Sequence, residues 1–169
     1  PPPSPAGEAA GVAAAAGGPA AAAEAAAPRL LHADPCGTQE RLAAAARRLV
    51  ANDLVAAGRE LAEVLASEPS EPAAHALDGF LHDLLGEVDD AITSYRAALY
   101  LDPALYQVRL LLADLLGRRG QRDRAAHQYR EVLAAVEAGR CRALVALDEL
   151  PLPDPDGAER RCRLALRGA

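Results

Sequence analysis

Lysine, methionine and tryptophan are absent from these 169 residues, so all 18 basic side chains are arginines; Ile92 and Phe80 are the only isoleucine and phenylalanine. Together with the abundance of alanine, glycine and proline, these gaps match a GC-rich coding sequence. The lack of an initiator methionine reads as a piece of a longer polypeptide. A net charge of −6 leaves no overall electrostatic case for nucleic acid. No apolar run approaches the roughly 20 residues needed to cross a bilayer, so no membrane insertion is expected. The N-terminus has neither the basic start nor the apolar core of a secretory signal. Cys36, Cys141 and Cys162 are odd in number and lack metal-ligand or CxxC spacing, which points to free thiols and a cytoplasmic setting. No strand, glycine-rich turn and helix follow one another as a nucleotide site requires, so no cofactor is expected. No Ser-His-Asp or Cys-His arrangement is detectable, which leaves no catalytic residue to name.

Residues 1–36 are nearly all Ala, Pro and Gly, with no apolar side chain between Val12 and Leu30. Such a stretch buries too little to offset the entropy of ordering it. It reads as a disordered linker, spanning roughly 30–36 Å as a flexible coil, which points back towards a domain that precedes it. Ala20 to Ala27 favour transient helix, alanine being the best intrinsic helix former.

What the chain does have is a repeat. Slid against itself by 34 residues, it brings Ala57, Ala91 and Ala125 into register. Leu61, Tyr95 and Tyr129 also align, as do Leu65, Leu99 and Leu133, then Asn52, Gly86 and Gly120, then Pro69 and Pro103. A period of this length marks helix-turn-helix units that cannot bury their apolar faces alone and must stack. The repeats run over residues 38–71, 72–105 and 106–139, each with a helix A, a turn and a helix B. In the second, helix A covers roughly 73–85 and helix B roughly 89–101. Gly86, Gly120 and Asn52 stand at the A–B junctions, where the chain needs a left-handed residue to leave a helix. The aligned alanines fall where helix B passes closest to helix A, and the Leu/Tyr/Tyr set fills the same face one turn later. Pro69 and Pro103 end helix B.

This combination of small, aromatic, small and proline positions, with Gly79, Ala45 and Ala113 as the small residue of helix A, resembles the tetratricopeptide repeat (TPR) over residues 38–139. Arg41, His75 and Arg109 stand where that family carries a large aromatic early in helix A. The expected fold is therefore all-α: an α-α superhelical solenoid of three TPR helix-turn-helix repeats plus a capping helix. That cap is expected over residues 141–150, where Leu144, Val145, Leu147 and Leu150 give a helical stripe. The solenoid domain then spans 37–150. Residues 151–169 follow as a Pro-rich turn and a short helix from Gly157 to Arg167, with Asp156 and Glu159 as a capping box and Leu164 and Leu166 as its docking side chains.

One phrase is more specific. Ala97-Ala-Leu-Tyr-Leu-Asp-Pro103 ends helix B of the second repeat, after Asp78-Gly-Phe-Leu and before a leucine-rich helix A. With the Pro- and Asp-Gly-containing tail, it resembles the C-terminal repeat region of CheR-type chemotaxis receptor methyltransferases. The resemblance implies an absent domain that transfers a methyl group from S-adenosylmethionine to receptor glutamates. It also implies that this chain is a non-catalytic docking or regulatory module for chemoreceptors or other chemosensory proteins. The alternative is a generic TPR scaffold of another multidomain assembly or secretion protein.

Stacked A helices line the concave face of such solenoids, the usual seat of a peptide or helix. That face is expected to include Gln39, Leu42, Ala46 and Leu49 from repeat one. Ala73, Ala76, Phe80 and Asp83 follow from repeat two, and Gln107, Leu110, Asp114 and Arg118 from repeat three. Phe80 has two readings, an aromatic anchor for a partner or packing between A helices. Asp83 and Asp114 favour a basic or amphipathic partner. No cation stands where relatives clamp a C-terminal carboxylate. Arg118, Arg119, Arg122 and Arg124, and again Arg160, Arg161, Arg163 and Arg167, form basic clusters whose alternatives are an acidic ligand or compensation of helix dipoles. His75, His82 and His127 have no partner carboxylate arranged as a site and read as surface or structural residues, so no metal is expected.

Overall fold

The computed structural model describes residues 35–168, and within them the chain forms seven α-helices, α1 (Pro35–Val50), α2 (Leu54–Ser67), α3 (Pro72–Leu85), α4 (Val88–Leu101), α5 (Tyr106–Arg118), α6 (Arg122–Glu137) and α7 (Pro155–Arg167). The linker expected over 1–36 lies outside the described residues except for its last two, with which α1 begins. The repeat is visible in the way the A helices stop. Asn52, Gly86 and Gly120 all have positive φ, at 61°, 79° and 72°. At each of them the next amide reaches back to a carbonyl five residues earlier: Asp53 N to Arg48 O, Glu87 N to His82 O and Gln121 N to Leu116 O, all 2.9 Å. These bonds satisfy the carbonyls that a helix end leaves orphaned. Helix starts are capped locally, by Asp53 on Ala56 N for α2 and by Glu71 on Ala73 N for α3, with Pro72 opening α3.

Each A helix packs on its B partner, and each B helix on the next A helix. The A helices α1, α3 and α5 also touch one another in sequence, while no B–B pair packs to a comparable extent among the described residues. A stack in which one row of helices is closer than the other curves towards the close row. The A helices therefore make the inner wall of a solenoid. The core follows the register: Ala57 and Ala91 are fully buried, Ala125 nearly so, and Leu61 and Tyr95 complete the A–B contacts. Gly79 is where Tyr95 crosses α3, and a methyl group there would lie 2.6 Å from Cδ1 of the ring. The positions that lack the early aromatic are latched by polar contacts instead. His75 Nε2 meets Pro69 O at 2.8 Å, and Arg109 Nη2 donates to Pro103 O at 2.9 Å, the same bond one repeat on.

Beyond α6 two expectations are corrected. Residues 141–150 are not a helix: only a single 3₁₀ turn, Val145–Leu147, forms there. The leucine stripe is real, with Leu144, Ala146, Leu147 and Leu150 turned inwards, but Val145, expected within it, is 77 % exposed. Pro151 disfavours helix at Leu150, and the amides of Arg142 and Leu144 bond to Ala104 O and Gln107 Oε1 rather than within a helix. The cap is α7, which packs on α6 and α5. Asp154, two residues before the expected cap, accepts from Gly157 N at 2.7 Å with Pro155 in the first turn. Docking uses fully buried Ala158 and Cys162, not Leu164, which is 72 % exposed. They join Tyr106, Leu110 and Val132 in a small core of their own. No helix among the described residues is long and apolar enough to cross a membrane.

Candidate functional site

The inner wall is the place where the sequence puts a partner, and much of it is already covered. The segment that leaves α6, residues 139–153, crosses the A helices to the first repeat and returns to α7. Its path can be followed by its bonds. Arg142 N donates to Ala104 O at 2.9 Å in an isolated parallel bridge beside Leu105, and its guanidinium pairs with Asp102. Leu144 N donates to Gln107 Oε1 at 2.8 Å. The 3₁₀ turn then packs on α1 and α3, Glu149 pairs with Arg47 at the end of α1, and Tyr106 OH donates to Pro153 O at 3.3 Å on the way back. Leu144, Ala146, Leu147, Leu150 and Leu152 become part of the main core of the solenoid.

This strap decides where the expected site residues lie. Leu42, Ala46 and Leu49 of α1 and Ala73 and Ala76 of α3 are buried, as is Gln107, whose side chain is engaged by the strap. They are closed to solvent, the apolar ones within the core that the strap's leucines also join. Leu110 faces α6 and α7 rather than the inner wall, since its cluster is that of Cys162. Gln39 is exposed on α1.

The other four, Phe80, Asp83, Asp114 and Arg118, come together. They line a cleft of ≈ 590 Å³ with Leu111, Gly117 and Tyr129 on one side and Pro151, Leu152 and Arg161 on the other. Phe80 is half-buried against the core and presents its remaining surface to the cleft. Arg118 holds Asp83 through both carboxylate oxygens, at 2.7 and 2.5 Å, and Arg161 holds Asp114 at 2.6 Å. The carboxylates form the floor, at 12 % and 19 % side-chain exposure, while the guanidiniums lie on the rim at 61 % and 50 %. A rim arginine trades its partner for water at little cost, so a basic group arriving from outside has two recessed carboxylates to compete for.

Tyr129 OH donates to Asp114 Oδ1 at 2.7 Å, and burial together with that bond raises its pKa well above the ordinary phenol value. Tyr95 is fully buried, its hydroxyl has no partner, and burial, followed by the charge of Asp83, raises its pKa further still. Both phenols stay neutral near neutral pH. Burial pushes the Cys162 thiol up to about 11, with Asp114 adding to the shift and Arg161 opposing it.

Four of the eight arginines in the basic clusters, Arg118, Arg119, Arg161 and Arg163, are held in intramolecular ion pairs. Arg119 pairs with Asp89, and Arg163 with Glu159 at 2.6 Å. His82 departs from its expected isolation: Nδ1 meets Glu87 at 2.6 Å and Nε2 lies 3.6 Å from Asp78. Tyr100, the distinctive residue of the Tyr-Leu-Asp-Pro phrase, stands 87 % exposed on α4, away from the A-helix wall. Leu111, Gly117, Pro151 and Leu152 are cleft residues that the sequence does not single out, whereas Tyr129 and Arg161 read there as a packing residue and as part of a basic cluster. The register gives Tyr129 as the successor of Tyr95, but nothing local announces that the strap returns to this place.

No family model matches the chain. Over 102 residues it is 36 % identical to the probable biofilm formation methyltransferase WspC of Pseudomonas putida, a match that covers 56 % of this chain and 24 % of that protein. The chain thus spans about a quarter of the length of the curated relative it matches. Among solved structures it resembles the type III secretion translocator chaperone SycD of Yersinia enterocolitica, with a TM-score of 0.61 and 16 % identity over 78 % of this chain and 91 % of that one. At that identity the likeness speaks for the helical-repeat fold.

Proposed function

We propose that this chain is a non-catalytic TPR protein-interaction module, the C-terminal docking or regulatory region of a bacterial chemosensory protein-glutamate methyltransferase that acts in the cytoplasm. The partner is a protein segment, from a chemoreceptor or another chemosensory protein, received by the A-helix wall. The observation that carries the reading is the 36 % identity to a methyltransferase over a stretch that amounts to a quarter of it, in a chain whose described residues are stacked helices. The cleft at Phe80, with recessed Asp83 and Asp114, supports a partner segment that is amphipathic and carries a basic group. The alternative, a scaffold in another assembly or secretion protein, rests on the fold alone.

The immobilised chain is expected to capture receptor cytoplasmic segments or response regulators in pull-down. Deleting the corresponding module from the parent methyltransferase is expected to alter receptor methylation. No capture, with methylation unchanged by the deletion, contradicts the reading.

A further inference from the structure

We infer that the strap is a built-in competitor: the inner wall beneath it is a peptide groove, and its external ligand is an extended, leucine-bearing segment of a protein partner that displaces residues 139–153. The inference names the kind of segment that the proposed interaction module takes, and rests on that reading.

The first observation is how the strap is held. It seats Leu144, Ala146, Leu147 and Leu150 while Val145, Asp148 and Glu149 remain exposed. Its main chain is gripped at two points, Arg142 N on Ala104 O and Leu144 N on the Oε1 of Gln107. Gln107 is only 4 % exposed. A buried glutamine that offers its acceptor to a backbone amide recognises an extended chain of any sequence, with apolar seats for the side chains beyond it. The solenoid thus already holds a peptide in the manner of a ligand, and that peptide is its own.

The second observation is that the strap's ends are fixed without it. On one side stands α6. On the other, α7 docks through Ala158 and Cys162 into a cluster with Tyr106, Leu110 and Val132, against which only Cys141 of the strap packs, whereas Leu144 to Leu152 join the main core. Release of the middle therefore leaves the cap in place. A connection of this length with one turn of structure is uncommon in a compact domain unless it is a lid or a binding loop. The third is that the groove does not end where the strap does. The cleft beside Pro151 and Leu152 continues it, with room for a ligand to gain a foothold before the strap has left.

The test uses the full chain and a labelled synthetic peptide copying residues 140–153. In a variant with Leu147→Asp and Leu150→Asp the strap no longer seats, and the peptide is expected to bind at least about tenfold more tightly than to the unmodified chain, where the tethered strap competes at an effective concentration of about a millimolar. A variant that keeps its helical content yet binds no better than the unmodified chain overturns the inference. Should the variant lose its helical content, hydrogen exchange on the unmodified chain decides. Amides of Arg142, Leu144 and Leu147 that exchange about a hundredfold faster than those of α3 and α5 support a strap that opens locally. Equal rates make it ordinary core and overturn the inference. Peptide binding without capture of any chemosensory protein would keep the groove and discard the methyltransferase reading; capture without peptide binding would do the reverse.

Discussion

Tyr95 and Tyr129 are the same residue one repeat apart, and their rings fill the same space between an A and a B helix. Their hydroxyls differ because the wall opposite differs. Tyr129 finds the carboxylate of Asp114, whereas 34 residues earlier that place is Phe80, which accepts nothing, and the hydroxyl of Tyr95 is buried without a partner. An unsatisfied buried polar group costs about 1–3 kcal/mol. Tyr95→Phe is therefore expected to stabilise the chain by about 1 kcal/mol, and Tyr129→Phe to destabilise it by about 1 kcal/mol, since it strips a donor from Asp114. Denaturant titration of the two variants checks this; a similar loss in both would mean that the hydroxyl of Tyr95 is satisfied. The register made both rings legible as packing residues. It did not show which acceptor each would meet, because that depends on a residue in the partner helix.

At the scale of the element, the helices were legible and the strap was not. The junctions at Asn52, Gly86 and Gly120 and the proline stops give local signals that the chain obeys wherever it folds. Helix α3 also passes close to α4 at Gly79, which lies against the fully buried ring of Tyr95. Gly79→Ala forces that ring to move with nowhere to go and is expected to cost about 1–3 kcal/mol. Gly117→Ala in α5 meets nothing nearer than 3.9 Å and is expected to gain about 0.5–1 kcal/mol from helix propensity. Thermal unfolding of the pair reads both signs, and a tolerated alanine at Gly79 would place Tyr95 elsewhere. Residues 141–150 misled because their leucines fit a helical stripe. Their conformation is set by an apolar wall contributed by α1 and α3, at least 56 residues away in sequence, which no local pattern reveals.

Over the whole molecule, closely stacked A helices turn one wall inwards, and the chain spends part of that wall on itself. What stays open is the cleft of Phe80, Asp83, Asp114 and Arg118, four residues that periodicity alone assigned to the inner face. Of the other expected seats, Leu42, Ala46, Leu49, Ala73, Ala76 and Gln107 are buried, Leu110 faces α6 and α7, and Gln39 is exposed on α1. The most direct measurement compares capture of receptor cytoplasmic segments by three chains: the unmodified one, one with Asp83→Asn and Asp114→Asn, and one with Tyr100→Ala on the exposed face of α4. Capture by the double variant is expected to weaken about tenfold, as loss of a recessed charge at an interface does, with Tyr100→Ala unchanged. Capture that survives the double variant and is abolished by Tyr100→Ala would place recognition on the outer face and contradict an inner-wall site.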